Sequence, residues 1–384
     1  MRALLTLQLT PWLLIKMARI NDLLRQMKQN GASDLHLTSG SAPYMRIHGD
    51  MIKLNYRSVN AETCQSLINE ILTENQKQLF TENWDLDLSY PLGGVGRFRV
   101  NVFMQRNGVS AVFRLIPENI KTISELDLPE QLASLIDVSE GLILVTGPTG
   151  SGKSTTLASL IHTINQEQQA HIITIEDPIE FVHENHRCLI SQRELASHTK
   201  SFTAALRAAL REDPDIILVG EMRDLETIQL AITAAETGHL VFATLHTNSA
   251  IKTIDRVIDV FPEGQQAQIR VMLSESLRGV VAQALLPRPD RQGRVPVVEV
   301  LVNVPAVANL IREGKTHQIA SAMQTGRAHG MMTFETAAHD LIQKGLISLE
   351  DGMSFLRRRG AGKQLNGSGS GSSGIRLANG PVTS

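Results

Sequence analysis

The feature that most limits what this chain can fold into is Gly147-Pro-Thr-Gly-Ser-Gly-Lys-Ser-Thr155. It fits the pattern G-x-x-x-x-G-K-[ST], and it sits between an apolar run, Leu142-Ile-Leu-Val145, and a helical pattern. A strand, a glycine-rich turn and a helix in that order form a phosphate cradle. The glycines let backbone N–H groups wrap the phosphates, and the positive end of the helix adds to the field. The sequence therefore predicts ATP binding by Gly147, Pro148, Thr149, Gly150, Ser151, Gly152, Lys153, Ser154 and Thr155. Within that set, Lys153 is expected to reach the β- and γ-phosphates and Ser154 to ligand Mg²⁺.

A phosphate cradle that hydrolyses needs a group to hold the metal and a group to orient water. Asp213-Pro-Asp-Ile-Ile-Leu-Val-Gly-Glu221 is an apolar strand that ends in a carboxylate. This is Walker B geometry with Glu221 where Asp is commoner, placed at the carboxyl end of a strand beside the P-loop. An ordinary strand-terminal acid would look the same, but the P-loop's need for a partner favours the Mg²⁺ role. Ile172-Ile-Thr-Ile-Glu176-Asp-Pro-Ile-Glu180 is a second strand ending in acids, held on a turn by Pro178. Glu176 is assigned as the water-polarising base and Glu180 as its support; a solvated acidic loop is the alternative.

The surroundings of these motifs set the fold class. His171 to Ile175, Ile216 to Val219 and Leu240 to Leu245 are further apolar strands with helical stretches between them. That grammar indicates an α/β unit with a parallel sheet covered on both faces. Thr253 to Phe355 reads as mostly helical, with a hairpin at Val297 to Leu301. Upstream, Ile20 to Lys28 and Asn60 to Phe80 read as helices. Asp34 to Leu37, Tyr44 to His48, Leu86 to Tyr90, Gly96 to Gln105 and Val109 to Ile116 read as strands of an α+β unit.

The expected divisions are an extension at 1–16, an N-terminal domain at 17–116, a linker at 117–129, the ATPase domain at 130–360 and a Gly/Ser-rich tail at 361–384. Residues 1–16 read as an upstream extension rather than a membrane anchor, because Pro11 interrupts the apolar run and no cleavage pattern follows. The tail reads as disordered or tag-like. The 384 residues carry a net charge of −2, so a whole-chain basic excess is absent and no stable nucleic-acid binding is expected. Two cysteines, Cys64 and Cys188, fit a reducing compartment and read as packed thiols.

Four stretches, GPTGSGKST, TIEDPIE, ILVGEMRD and TAAETGHLVFATLHTNSA, resemble the secretion ATPases of type II secretion and type IV pili. SDLHLTSGSAPYMRIHGD, GRFRVNVF and NLIREGKTHQI resemble the PilT-like retraction branch of that family. The resemblance runs from about Met17 to about Arg359. It implies a PAS-like N-terminal domain followed by a RecA-like P-loop ATPase domain with a helical C-terminal region. It also implies a cytoplasmic homohexamer that acts peripherally at the inner membrane on a pilus platform protein, alongside other pilus motor ATPases, and drives pilus retraction. An ATPase of a conjugation or type IV secretion system, or an accessory paralogue of the retraction motor, is the alternative.

By the same resemblance, arginines of the region holding Arg97, Arg99 and Arg114 approach the phosphates; structural ion pairing reads equally well for each. His239 and His246 fall in the family's His box. Two histidines without a cysteine do not make a metal site. His246 is expected at the carboxyl edge of its strand, where the resemblance implies a sensor or subunit-interface residue, and His239 reads equally as a packed residue at the strand's start. One departure stands out. The retraction motif usually written AIRNLIRE is Ala306-Val-Ala-Asn-Leu-Ile-Arg-Glu313 here, with Ala308 in place of its first arginine. Arg357-Arg-Arg359 reads as a solvated run before the tail.

Overall fold

The computed structural model describes residues 19–47, 49–116, 119–290 and 293–359. The first half is built on one antiparallel sheet. Helix α1 (Ile20–Gln29) buries Ile20, Leu23, Leu24 and Met27, the i, i+3, i+4, i+7 stripe of an amphipathic helix. Strands β1 (Asp34–Thr38), β2 (Tyr44–Ile47) and β3 (Asp50–Lys53) follow, then α2 (Ala61–Asn69) and α3 (Glu74–Asn83). Strands β4 (Asp85–Leu92), β5 (Gly96–Gln105) and β6 (Gly108–Ile116) complete a sheet ordered β3-β2-β1-β6-β5-β4. The two faces of β5 differ. Phe98, Val100 and Val102 enter a core with α1, α2 and α3, whereas Arg97, Arg99 and Asn101 point to the other face.

The second half holds a seven-stranded sheet. Its elements run β7 (Gly141–Thr146), α4 (Lys153–Glu167), β8 (His171–Glu176), β9 (Leu189–Glu194), α5 (Phe202–Ala209), β10 (Ile216–Val219), α6 (Leu225–Glu236), β11 (Leu240–Leu245), α7 (Ala250–Asp259) and α8 (Glu263–Ser276). Then come β12 (Leu277–Pro287), β13 (Arg294–Val302), α9 (Pro305–Arg312), α10 (Ile319–Thr325), α11 (Phe334–Gln343) and α12 (Leu349–Arg358). The order is β13-β12-β7-β11-β10-β8-β9, all parallel except β13. Every residue of β7, β10 and β11 is buried, because separate apolar clusters cover the sheet's two faces. That is why these strands read as unbroken apolar runs.

Four expectations change. The segment after Thr253 is not mostly helical up to Val297: β12 and β13 form a long hairpin, and β12 extends the parallel sheet beside β7. Seven of the ten residues from Leu277 to Leu286 are apolar, without a clear period of two, so the pattern did not separate strand from helix. Strand β9 was not foreseen, because an edge strand of sequence LISQRE has only partial burial to betray it. Strand β10, expected to carry the Walker B acid beside the P-loop strand, does not lie beside it; β11 separates them. The expected linker is only partly one. Residues 119–129 form no helix or strand, but Leu128 is buried and Ile123 and Leu126 pack with it onto the second sheet's core. Residues 1–16, the tail and His48 lie outside the described residues.

Candidate active site

Parallel strands present their carboxyl ends at one edge, which is where an open α/β sheet builds its site. Here β7 runs into the P-loop, β11 into His246, β10 into Gly220-Glu221, and β8 ends on Glu176. Short backbone ties hold these ends in register. Gly220 N–H donates to Ile175 O at 2.8 Å and Met222 N–H to Thr244 O at 3.0 Å. A side chain at Gly220 would meet Ile175 O at 3.0 Å and Glu176 Cα at 3.2 Å, so the two acidic strand ends approach as closely as backbone allows.

The P-loop is tight. Gly147 has φ 149°, and a Cβ there would lie 2.3 Å from Gln283 O. Gly152 caps α4 at φ 90°, and a Cβ there would lie 2.8 Å from Gln283 Nε2. The spacing of glycines therefore reflects close approach as well as backbone conformation. Lys153 is buried and donates to Gly147 O at 2.9 Å and Pro148 O at 3.3 Å, which keeps its ammonium at the loop's mouth. Burial lowers its pKa, and the charges of Glu221 and Glu180 oppose that shift. Ser151 Oγ is buried without a hydrogen-bond partner.

The carboxylates occupy different environments. Burial raises the Glu176 pKa to about 7, against hydrogen bonds from Thr174 Oγ1 (2.7 Å), Gln192 Nε2 (3.2 Å) and the Glu180 backbone. For Glu221 burial acts in the same direction, but the hydrogen bond from Arg223 (2.7 Å) and the charges of His246, Arg223 and Lys153 win, and its pKa is lowered. His246 Nε2 lies 2.9 Å from Glu221 Oε1. One carboxyl is thus kept as a fixed anion while its neighbour titrates near neutrality, the division of labour expected of a metal holder and a base. A cavity of about 40 Å³ lies among Ser154, Thr174, Glu176, His183 and Thr244, enough for a water.

Two arginines cross from the first sheet to this edge. Arg97 Nη2 donates to Glu194 Oε2 at 3.0 Å, and Arg99 Nη1 lies 3.7 Å from Glu180 Oε1. Glu194 also accepts from Ile179 N–H at 3.1 Å, so the Arg97 pair anchors the turn after Glu176. Arg114 is not brought to the cluster. Its Nε donates to Asp34 at 2.8 Å, its cross-strand neighbour, and Arg46 lies 3.9 Å from the same buried carboxylate. His239 sits at the opposite end of β11 from His246, its Nδ1 3.0 Å from Ala234 O, as a packed strand-start residue.

Sequence reasoning missed Gln283, Gln192, Glu194 and Arg223. Gln283 accepts from Thr156 at 2.8 Å and packs on Gly152; a lone amide inside the apolar run of β12 was its signal. Glu194 and Gln192 lie on the unforeseen β9 and had none.

The glycine cradle, the orphaned Ser151 hydroxyl and the Lys153 ammonium fit a bound phosphate chain. Ser154 at the head of α4 and the anionic Glu221 fit as the holders of a hard cation such as Mg²⁺. Residues 14–354 match the family model described as type II/IV secretion system protein. The chain belongs to that family. It is 52% identical over 332 residues to the type IV pilus retraction ATPase PilT of Pseudomonas aeruginosa, covering 86% of this chain and 96% of that protein. It is 51% identical over 324 residues to a twitching motility protein of Neisseria gonorrhoeae, covering 83% and 87%. A crystal structure of the pilus retraction motor PilT with bound ADP superposes at TM-score 0.82 and 48% identity, covering 88% of this chain and 97% of that one. This family member therefore carries the secretion-ATPase fold over nearly its whole described length.

Proposed function

We propose that this chain is an ATPase that powers type IV pilus retraction, working as a ring of six at the inner-membrane pilus platform. The observation that carries the reading is the convergence of two sheets on one strand edge: Lys153, Glu176 and Glu221 from one, Arg97 and Arg99 from the other. Residues 17–116 are read as a PAS-like domain and 130–360 as a RecA-like one. ATP sits in the cleft between them. Ser154 and Glu221 would hold Mg²⁺, which when bound would neutralise charge on the phosphates. Lys153 turns from the loop carbonyls to the phosphates. Glu176 accepts a proton from the water that attacks, and its pKa of about 7 suits that task near neutral pH. Arg97 and Arg99 sit on salt bridges that can be exchanged for phosphate oxygens, so that closing the cleft is coupled to hydrolysis. Closure, rather than covalent chemistry on a second substrate, is the output.

Deletion of the gene followed by rescue tests this. Wild type restores twitching, whereas Glu221→Ala leaves long-lived surface pili without motility and Lys153→Ala releases no phosphate from ATP in vitro. Unchanged piliation in the deletion would overturn the retraction reading. Ala308 favours a second reading, an accessory motor that retracts alongside another pilus ATPase. It predicts loss of force or speed on deletion rather than loss of retraction.

A further inference from the structure

Of the run Arg357-Arg-Arg359, expected to be solvated, the last member is not. The Arg359 guanidinium carbon lies 3.8 Å from the centroid of Phe334 and 4.7 Å from that of Phe355. Those rings meet edge to face at 5.5 Å, making a two-sided aromatic seat between α11 and α12. A guanidinium stacked on aromatic faces keeps its in-plane N–H groups free to donate. Arg359 Nη1 uses one on Asn248 O. Half-buried Glu299 of β13 supplies the compensating charge and accepts from Ala250 N–H at 2.8 Å.

The grip falls on a short and consequential loop. His246, held 2.9 Å from Glu221, lies two residues before Asn248. Thr247 N–H donates to Thr146 Oγ1 at 3.0 Å, the last residue of the P-loop strand. Ser249 caps α7 through Lys252 N–H. Residues 246–249 thus run from the Walker B carboxylate, past the root of the P-loop, to the start of α7. Arg359 and Glu299 clamp the two peptide groups on either side of Ser249. A strand-end loop with those duties needs an outside fixture, because nothing within it fixes the Asn248 carbonyl.

We propose that Arg359 is a positioning residue for the active site: seated on Phe334 and Phe355, it holds the Asn248 carbonyl and so fixes the loop that keeps His246 on Glu221. The C-terminal helix pair α11–α12 becomes part of the catalytic frame. This rests on the ATPase reading above, in which His246 faces the site.

The test is a double-mutant cycle on the full chain, with ATP turnover as readout. Arg359→Ala is expected to lower kcat about tenfold with KM for ATP within about twofold, since the phosphate cradle is untouched. Arg357→Ala and Arg358→Ala stay at the wild-type rate. In a His246→Ala background, Arg359→Ala is expected to add less than about a twofold loss, because both substitutions remove the same placement. Arg359→Lys keeps a cation on the rings but not the fork, and recovers an intermediate rate; it carries the test if the alanine variant does not fold. A full tenfold loss in both backgrounds, or a wild-type kcat in Arg359→Ala, overturns the inference. A wild-type chain that releases no phosphate overturns the ATPase reading itself and takes the inference with it, so the two failures are distinguishable.

Discussion

Glu176 is where the chemistry and the stability of the site conflict most directly. Its folded pKa of about 7 lies above the ordinary glutamate value of 4.5, chiefly through burial. In the role of base proposed above it works only when ionised, so turnover is expected to rise with pH through about 7, with an acid limb that Glu176→Gln abolishes along with at least about 10²-fold of the rate. The sign for stability is opposite. A raised folded pKa means the native state holds its proton across the window from 4.5 to about 7 while the unfolded chain has lost it. The contribution is fully present below that window and is lost as pH rises through it. Above it the buried anion costs about 3 kcal/mol at most. Glu176→Gln, which still accepts through its amide oxygen, is expected to raise the unfolding free energy at pH 8 by about 2 kcal/mol. Urea unfolding at pH 5 and pH 8 checks this. A variant less stable than wild type at pH 8 would contradict it.

At the scale of elements, the arginines of the N-terminal sheet sort by partner. Glu194 is almost fully buried and Arg97 largely so, which makes truncation of Arg97 expensive because it strands a carboxylate. Arg99 and Glu180 are both about two-fifths exposed and 3.7 Å apart, so that pair is stabilising only weakly. We expect Arg97→Ala to cost about 2 kcal/mol of stability and Arg99→Ala less than about 1 kcal/mol, while both lower kcat about tenfold or more. Arg114→Ala is expected to cost about 1 kcal/mol through Asp34 and to leave kcat within about twofold. Paired thermal unfolding and turnover measurements separate the three. A tenfold loss of kcat in Arg114→Ala would restore it to the site.

This sorting marks the limit of what the sequence made legible. Elements whose burial is uniform were readable: β10 and β11 run over the expected residues because every position faces protein. The left-handed turn conformation of Gly147 and Gly152 is local and was readable too, whereas the close approach of Gln283 to both was not. What stayed hidden depends on contacts distant in sequence. Arg97, Arg99 and Arg114 have the same side chain and neighbouring positions, and only the partners Glu194, Glu180 and Asp34 tell them apart. Arg359 was read as solvated for the same reason, since Phe334 and Asn248 are joined to it only by the fold.

For the whole molecule, the question is whether the sites of the proposed ring of six act independently. The two halves of this chain meet through salt bridges at the cleft edge, Arg97–Glu194 and Arg99–Glu180, rather than through a shared apolar core, since the N-terminal cluster and the clusters of the second sheet are separate. Such a junction can shift with the state of its nucleotide. In a closed ring, a shift in one subunit is imposed on its neighbours. A subunit that binds ATP but cannot complete the cycle would therefore hold the ring in one shape. Glu221→Ala retains the P-loop and Lys153, so it is expected to join rings and block them. Co-expressed with an equal amount of wild type, random mixing into a ring of six leaves roughly 2% of rings wholly wild type. Twitching should then collapse to well below half and surface pili should accumulate. If the sites worked independently, motility would fall only to about half. Motility at or above half, with mixed rings shown by co-purification of differently tagged chains, would refute the coupled ring.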